Sequence, residues 1–104
     1  MKLLEQIISI VSDLTEISPD EIRSRSRRSD VTEARYLVIY LLRHQGVRTY
    51  KIAKMMGIPE RSIYYAINAY YIHSDEDGSM LKAWFRDAKI ELQKLRKNEA
   101  ESSQ

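Results

Sequence analysis

Residues Thr49 to Asn68, Thr-Tyr-Lys-Ile-Ala-Lys-Met-Met-Gly-Ile-Pro-Glu-Arg-Ser-Ile-Tyr-Tyr-Ala-Ile-Asn, decide the fold, because they read as two short helices joined by a tight turn. Apolar side chains fall at Ile52, Ala53, Met55 and Met56 before the turn and at Ile58, Ile63, Ala66 and Ile67 after it. Each half therefore carries a helical stripe facing the other. Ala53 is small where the second helix must cross closely. Gly57 sits just past the first helix, where a residue with positive φ closes a C-terminus without a Cβ clash. Pro59 follows at a helix start, where its missing N–H is harmless. This is helix-turn-helix grammar.

Glu60, Arg61, Tyr64, Tyr65 and Asn68 remain on the outer side of the second helix, and all can hydrogen bond. Base edges in the major groove are read by such side chains, so the face suits a recognition helix. An ordinary amphipathic hairpin with a polar outside is the competing reading of the same spacing.

Outward from this stretch, the chain of 104 residues is long enough for one domain with a single modest core. It has no cysteine, which excludes disulfides and thiolate metal sites and is consistent with a reducing compartment. No apolar run approaches the roughly 20 residues of a membrane span, and Glu5 and Gln6 interrupt the start where a signal peptide would be apolar. A cytoplasmic protein with no membrane partner is the expectation.

Net charge is only +2, but it is unevenly spread. From Arg23 to Arg61 eight arginines and two lysines face Asp30, Glu33 and Glu60, a net +7, whereas the remainder holds seven cations and twelve anions, a net −5. Phosphate contact needs clustered cations rather than a high total, so a basic centre between acidic flanks suggests a localised polyanion-binding face. Chance clustering on a solvated surface is the bland alternative.

Leu3, Leu4, Ile7, Ile8, Val11 and Leu14 repeat at helical spacing and predict a first helix from Lys2 to about Thr15. In Ile17-Ser18-Pro19-Asp20-Glu21-Ile22, Ser18 can cap, Pro19 can open the helix, Glu21 can reach back, and Ile17 can staple against Ile22. Arg23-Ser24-Arg25-Ser26-Arg27-Arg28-Ser29 offers nothing to bury and reads as a loop. Its guanidinium groups suit an electronegative minor groove or the phosphates beside it. Val31 to Arg43 is the most apolar segment and predicts a central buried helix, capped by Asp30 or Thr32 and ended by Gly46. Arg35 and Arg43, eight residues apart, share a side and could grip phosphates or serve as surface ion-pair partners. Thr49 should cap the next helix.

Beyond Asn68, Ala69-Tyr70-Tyr71-Ile72 continues the recognition helix until Ser74-Asp75-Glu76-Asp77-Gly78 breaks it. That acidic turn lacks the spaced ligands and terminal glutamate of a calcium loop, so no metal is expected. A last helix begins near Ser79, with Leu81, Phe85, Ala88, Leu92 and Leu95 at core or dimer-seam spacing, and Trp84 and Phe85 pack on the core. His44 and His73 stand apart from any nucleophile or ligand cluster, and the carboxylates gather at helix ends. No enzyme, cofactor or small-molecule substrate is expected.

Taken in order, these segments resemble the C-terminal DNA-binding domain of the bacterial replication initiator DnaA, in the Trp-repressor-like helix-turn-helix group. The likeness runs from about Leu4 to Leu95. It is most specific over Glu21 to Arg35, similar to the family's basic loop and following helix, and over Ile52 to Ala66, similar to its helix-turn-helix and signature helix. The spacing itself gives an all-α, compact bundle of about six helices over residues 1–97, followed by a polar, disordered tail over 98–104. The resemblance implies double-stranded DNA as partner in replication or transcription control. Arg27 would enter the minor groove, and Glu60, Arg61, Ser62 and Tyr65 would belong to the signature helix. Arg25, Arg28, Arg35, Arg43, Thr49 and Lys51 would meet phosphates.

The family's Asp-His pair stands here as Pro59-Glu60, and its later histidine as Tyr65. An altered DNA site is therefore expected, with Arg61 favouring guanine and Glu60 accepting from cytosine N4. Glycines at 46, 57 and 78 alone leave no phosphate-binding loop. A stand-alone DNA-binding domain of a mobile element or a regulator is the expectation, with the chain itself or another replication or regulatory protein as a further candidate partner. The rival reading is an interaction or dimerisation module built on the tyrosines and the last helix.

Overall fold

The structure, a computed structural model, describes residues 3–102, with side chains through residue 99. Six α-helices follow in order: α1 (Leu3–Thr15), α2 (Pro19–Arg23), α3 (Ser29–His44), α4 (Thr49–Met56), α5 (Glu60–Ser74) and α6 (Leu81–Ser102). There is no strand among the described residues. The all-α bundle expected from the spacing is the fold observed.

The centre of the bundle is α3, which touches all five other helices. Its sequence explains this. Val31, Ala34, Leu37, Val38, Leu41 and Leu42 recur at three- and four-residue steps, and all are essentially inaccessible to solvent. Ile39 is buried on a further side, so the apolar stripe is wide enough to receive neighbours from several directions. Against it lie Ile7 and Val11 of α1, Ile22 of α2, Ile52 of α4, Ile63 of α5, and Leu81 and Leu92 of α6. Each such side chain contributes about 1.5–3 kcal/mol by leaving water. Helices α1 and α6 run antiparallel: Gln6 hydrogen bonds to Glu99, while Leu14 at the other end of α1 meets Ile90 across a shared groove.

Helix starts follow local chemistry less uniformly than expected. For α2 the expectation holds, since Ser18 Oγ accepts the Glu21 N–H at 3.2 Å, Pro19 opens the helix, and Ile17 and Ile22 are both buried. By contrast, α3 starts at Ser29 with Arg28 in the capping position and no side-chain cap. Asp30 instead accepts the N–H of Val31 at 2.8 Å. Thr49 does not cap α4 either. Arg48 holds that position, and the Thr49 hydroxyl is engaged across the turn. Pro59 is the residue before α5 rather than its first, and α6 begins at Leu81 rather than near Ser79. The last helix also runs past Lys97 to Ser102, where a disordered tail was expected. No glycine or proline interrupts Asn98 to Ser102, and residues 103–104 lie outside the described residues.

The turn between α4 and α5 matches its sequence. Gly57 has φ of 69°, and its N–H and that of Ile58 both reach back to the carbonyl of Ala53, the latter at 3.1 Å. This closes α4 with the left-handed residue of a Schellman-type end. An added Cβ at Gly57 would meet nothing within 4 Å, so substitution is opposed by the backbone angle alone. Gly57→Ala should therefore cost about 1–2 kcal/mol, and Gly57→Asn less, in a urea titration. An unchanged midpoint for Gly57→Ala would show that the turn tolerates another backbone geometry.

Among the described residues no helix is long and apolar enough to cross a membrane.

Candidate nucleic-acid interface

A cleft of about 420 Å³ lies where the loop between α2 and α3 meets α3 and α5. The loop supplies Ser24, Arg25, Ser26 and Arg27, α3 supplies Thr32, Arg35, Tyr36 and Ile39, and α5 supplies Ser62, Tyr65 and Ala66. Two segments about 35 residues apart in sequence, the arginine loop and the outer side of α5, thus form one surface.

The loop is held in shape by hydrogen bonds its own residues provide. Ser24 Oγ donates to the Glu21 carbonyl at 2.6 Å and accepts the Ser26 N–H at 3.1 Å, and Ser26 Oγ accepts the Arg28 N–H at 3.3 Å. Alternate serines therefore replace the missing secondary structure, which leaves the alternate arginines outward. Arg25 and Arg27 are exposed and line the cleft.

Arg35 is placed differently from the sequence expectation. Its Nε donates to the carbonyl of Ile22 at 3.0 Å, Nη2 to that of Ser24 at 2.7 Å, and both terminal nitrogens to that of Ser26 at 3.3 Å. It is half-buried, and burial pulls its guanidinium below the usual arginine value. Its planar fork spends its donors on three loop carbonyls, which makes Arg35 the residue that positions the loop. Arg28 is also occupied, pairing with Glu21 at 2.9 Å and Asp30 at 2.8 Å. The hydrogen bond from Arg28 holds the Asp30 carboxyl below the ordinary carboxylate range.

At the start of the helix-turn-helix, the Thr49 hydroxyl donates to Glu60 Oε2 at 2.7 Å and lies 3.1 Å from the Tyr64 hydroxyl. This joins the first residue of α4 to the first turn of α5. Glu60 and Thr49 are therefore each other's partners here. Arg61 is exposed, Ser62 is half-buried in the cleft, and Tyr65 is 68% exposed at its edge. Arg43 and Lys51 are exposed but lie outside the cleft lining.

Some participants escaped the sequence reading. Tyr36 stands inside the cleft with its ring edge-on to Tyr65 at 6.3 Å and to His73 at 5.7 Å, and burial raises its phenol above the usual value. Only the helical phase of Tyr36 relative to Arg35 could have suggested its position. Behind it, Tyr40 and Tyr70 stack at 3.9 Å, and burial pushes both phenols up to about 12. His44 packs edge-on against Phe85 at 5.1 Å, consistent with a histidine at the margin of the core.

The α4–turn–α5 unit packed on α3, with an arginine loop folded against it, defines a helix-turn-helix domain. The family described as bacterial dnaA protein helix-turn-helix matches residues 4–69, which contain the loop, α3, α4, the turn and the first ten residues of α5. The chain belongs to this family. The chromosomal replication initiator protein DnaA of Gloeobacter violaceus is 36% identical to it over 66 residues, 62% of this chain and 15% of that protein. No solved structure matches the chain.

Proposed function

We propose that the chain is a sequence-preferring, double-stranded DNA-binding protein that acts in replication or transcription control. The first half of α5 reads the major groove, and the loop carrying Arg25 and Arg27 follows the adjacent minor groove. The reading rests chiefly on the single cleft shared by Arg25, Arg27, Ser62 and Tyr65. Membership of the DnaA helix-turn-helix family supports it, and so does the name of the initiator relative.

Within this reading Arg61 and Tyr65 face bases, while Arg25, Arg43, Arg48 and Lys51 meet phosphates. Helices α4 and α5 both begin without a side-chain cap. Lys51 N–H is taken by the Arg48 carbonyl and Ser62 N–H by that of Pro59, so it is the two N–H groups before each of them that would meet phosphate oxygens, to which the helix dipole adds attraction. Arg28 and Arg35 serve the loop, and Glu60, whose Oε2 accepts from Thr49, would offer Oε1 to a base.

Titration of duplexes from a random pool at several salt concentrations tests the proposal. Affinity should fall with salt by a log–log slope of about −0.9 per phosphate engaged. Affinity indifferent to salt, or none for any duplex, would refute it. Arg27→Ala and Arg61→Ala should each cost about 1–3 kcal/mol of binding while leaving folding intact. The Arg61 loss should be confined to preferred sequences. An equal loss on every duplex would remove Arg61 from base reading.

A further inference from the structure

Along α5, Tyr64, Asn68 and Tyr71 follow one another at helical steps, and with Tyr65 and Ile67 they line a shallow trough of about 470 Å³. Tyr65 belongs to this trough and to the arginine-lined cleft, so the two form one track. Tyr64, Tyr65 and Tyr71 are 59%, 68% and 52% exposed, which leaves most of three aromatic rings in water on one side of one helix. Tyr71 is also held in place: its ring stands edge-on to Tyr40 at 5.3 Å and to Tyr70 at 5.9 Å, and the Tyr40 hydroxyl lies 3.3 Å from its own. An exposed ring already fixed by its neighbours gives up little conformational freedom on contact.

We propose that this trough binds unpaired bases of a single-stranded nucleic acid. Tyr64 and Tyr71 stack on the bases, and Arg61, one turn before Tyr64, meets a neighbouring phosphate. Aromatic rings beside a cationic groove are the chemistry that holds single strands without regard to sequence. The charge beside the trough favours a polyanion over an apolar protein surface. Seven residues of α5 rise about 10 Å, room for about three nucleotides at a spacing of about 3.4 Å. The site goes beyond the duplex reading, because Tyr71 lies nearly two turns past Tyr65 and has no part in that contact.

The test uses the full chain and labelled oligothymidylate of about 12 nucleotides, the oligouridylate of the same length, an abasic strand of the same length, and a duplex. The base-bearing strands should both bind at least tenfold more tightly than the abasic one. Tyr71→Ala should weaken strand binding about tenfold and leave duplex binding within twofold, whereas Tyr71→Phe should retain both. Tyr71→Leu keeps apolar bulk against Tyr40 and Tyr70 and should behave as the alanine variant does, which separates stacking from folding. Equal binding of the abasic strand, no effect of either non-aromatic variant, or parallel loss of duplex binding would overturn the proposal. So would absence of strand binding with a change in sedimentation for Tyr71→Ala, which would assign the trough to a protein contact. Strand binding without duplex binding would refute the duplex reading alone.

Discussion

Arg35→Ala should lose about 2–3 kcal/mol of stability, together with most of the duplex affinity. The guanidinium donates to the carbonyls of Ile22, Ser24 and Ser26, and among the described residues no other side chain is bonded to them. Bonds from a charged donor contribute about 1.5–3 kcal/mol each when fully formed, but a half-buried site lets water replace part of them, so the sum is well below three such bonds. Without this fork the loop has its serines alone, and Arg25 and Arg27 lose their fixed position beside Ser62 and Tyr65. Arg35→Lys should not rescue the protein, because one ammonium cannot span three carbonyls. Urea unfolding paired with duplex titration decides the matter. Normal stability with lost binding would return Arg35 to the direct phosphate contact that its sequence position suggested.

Leu37→Ala should be the more damaging to folding, at about 3–5 kcal/mol. Leu37 is completely buried on the helix that every other helix touches, so the cavity left behind cannot close without moving several elements. Set against a total stability of about 5–15 kcal/mol, the loss could leave a substantial fraction unfolded at physiological temperature. Leu95→Ala on α6 is the control. Leu95 is 39% exposed, and its truncation should cost well under about 1 kcal/mol. Comparable thermal midpoints for the two variants would contradict the central role assigned to α3.

What could be read from the sequence was local. The α2 start needed only Ser18, Pro19 and Glu21, the α4–α5 turn needed only Gly57 and Ile58, and α3 announced itself through six apolar positions in one stretch. What could not be read depends on partners distant in the chain. The donors of Arg35 lie 9 to 13 residues from their acceptors, Thr49 reaches eleven residues to Glu60, and Tyr40 meets Tyr71 across 31. Side-chain capacity alone does not say which acceptor wins. Arg35 therefore read as a phosphate contact and Thr49 as a cap. The end of α1 was legible at Thr15 from the apolar spacing, although the left-handed φ of 63° at Glu16 that follows it was not, because no glycine signals it. The loop arginines were recognisable from their serine spacing, yet their closeness to Ser62 and Tyr65 rests on α3 and α5 packing together.

None of the residues that line the arginine cleft comes from α1 or α6, and the groove those two helices share is bordered by Asp13, Asp87 and Glu91. Arg25 and Arg27 thus gather exposed positive charge at one surface of the bundle, well apart in the fold from the carboxylates of that groove. A polyanion drifting within about 8 Å, the reach of charge in physiological salt, is drawn toward the exposed arginines and exerts a torque that turns their side of the molecule inward. Encounters would begin partly aligned, which raises the fraction of collisions that end in the correct pose without any added contact.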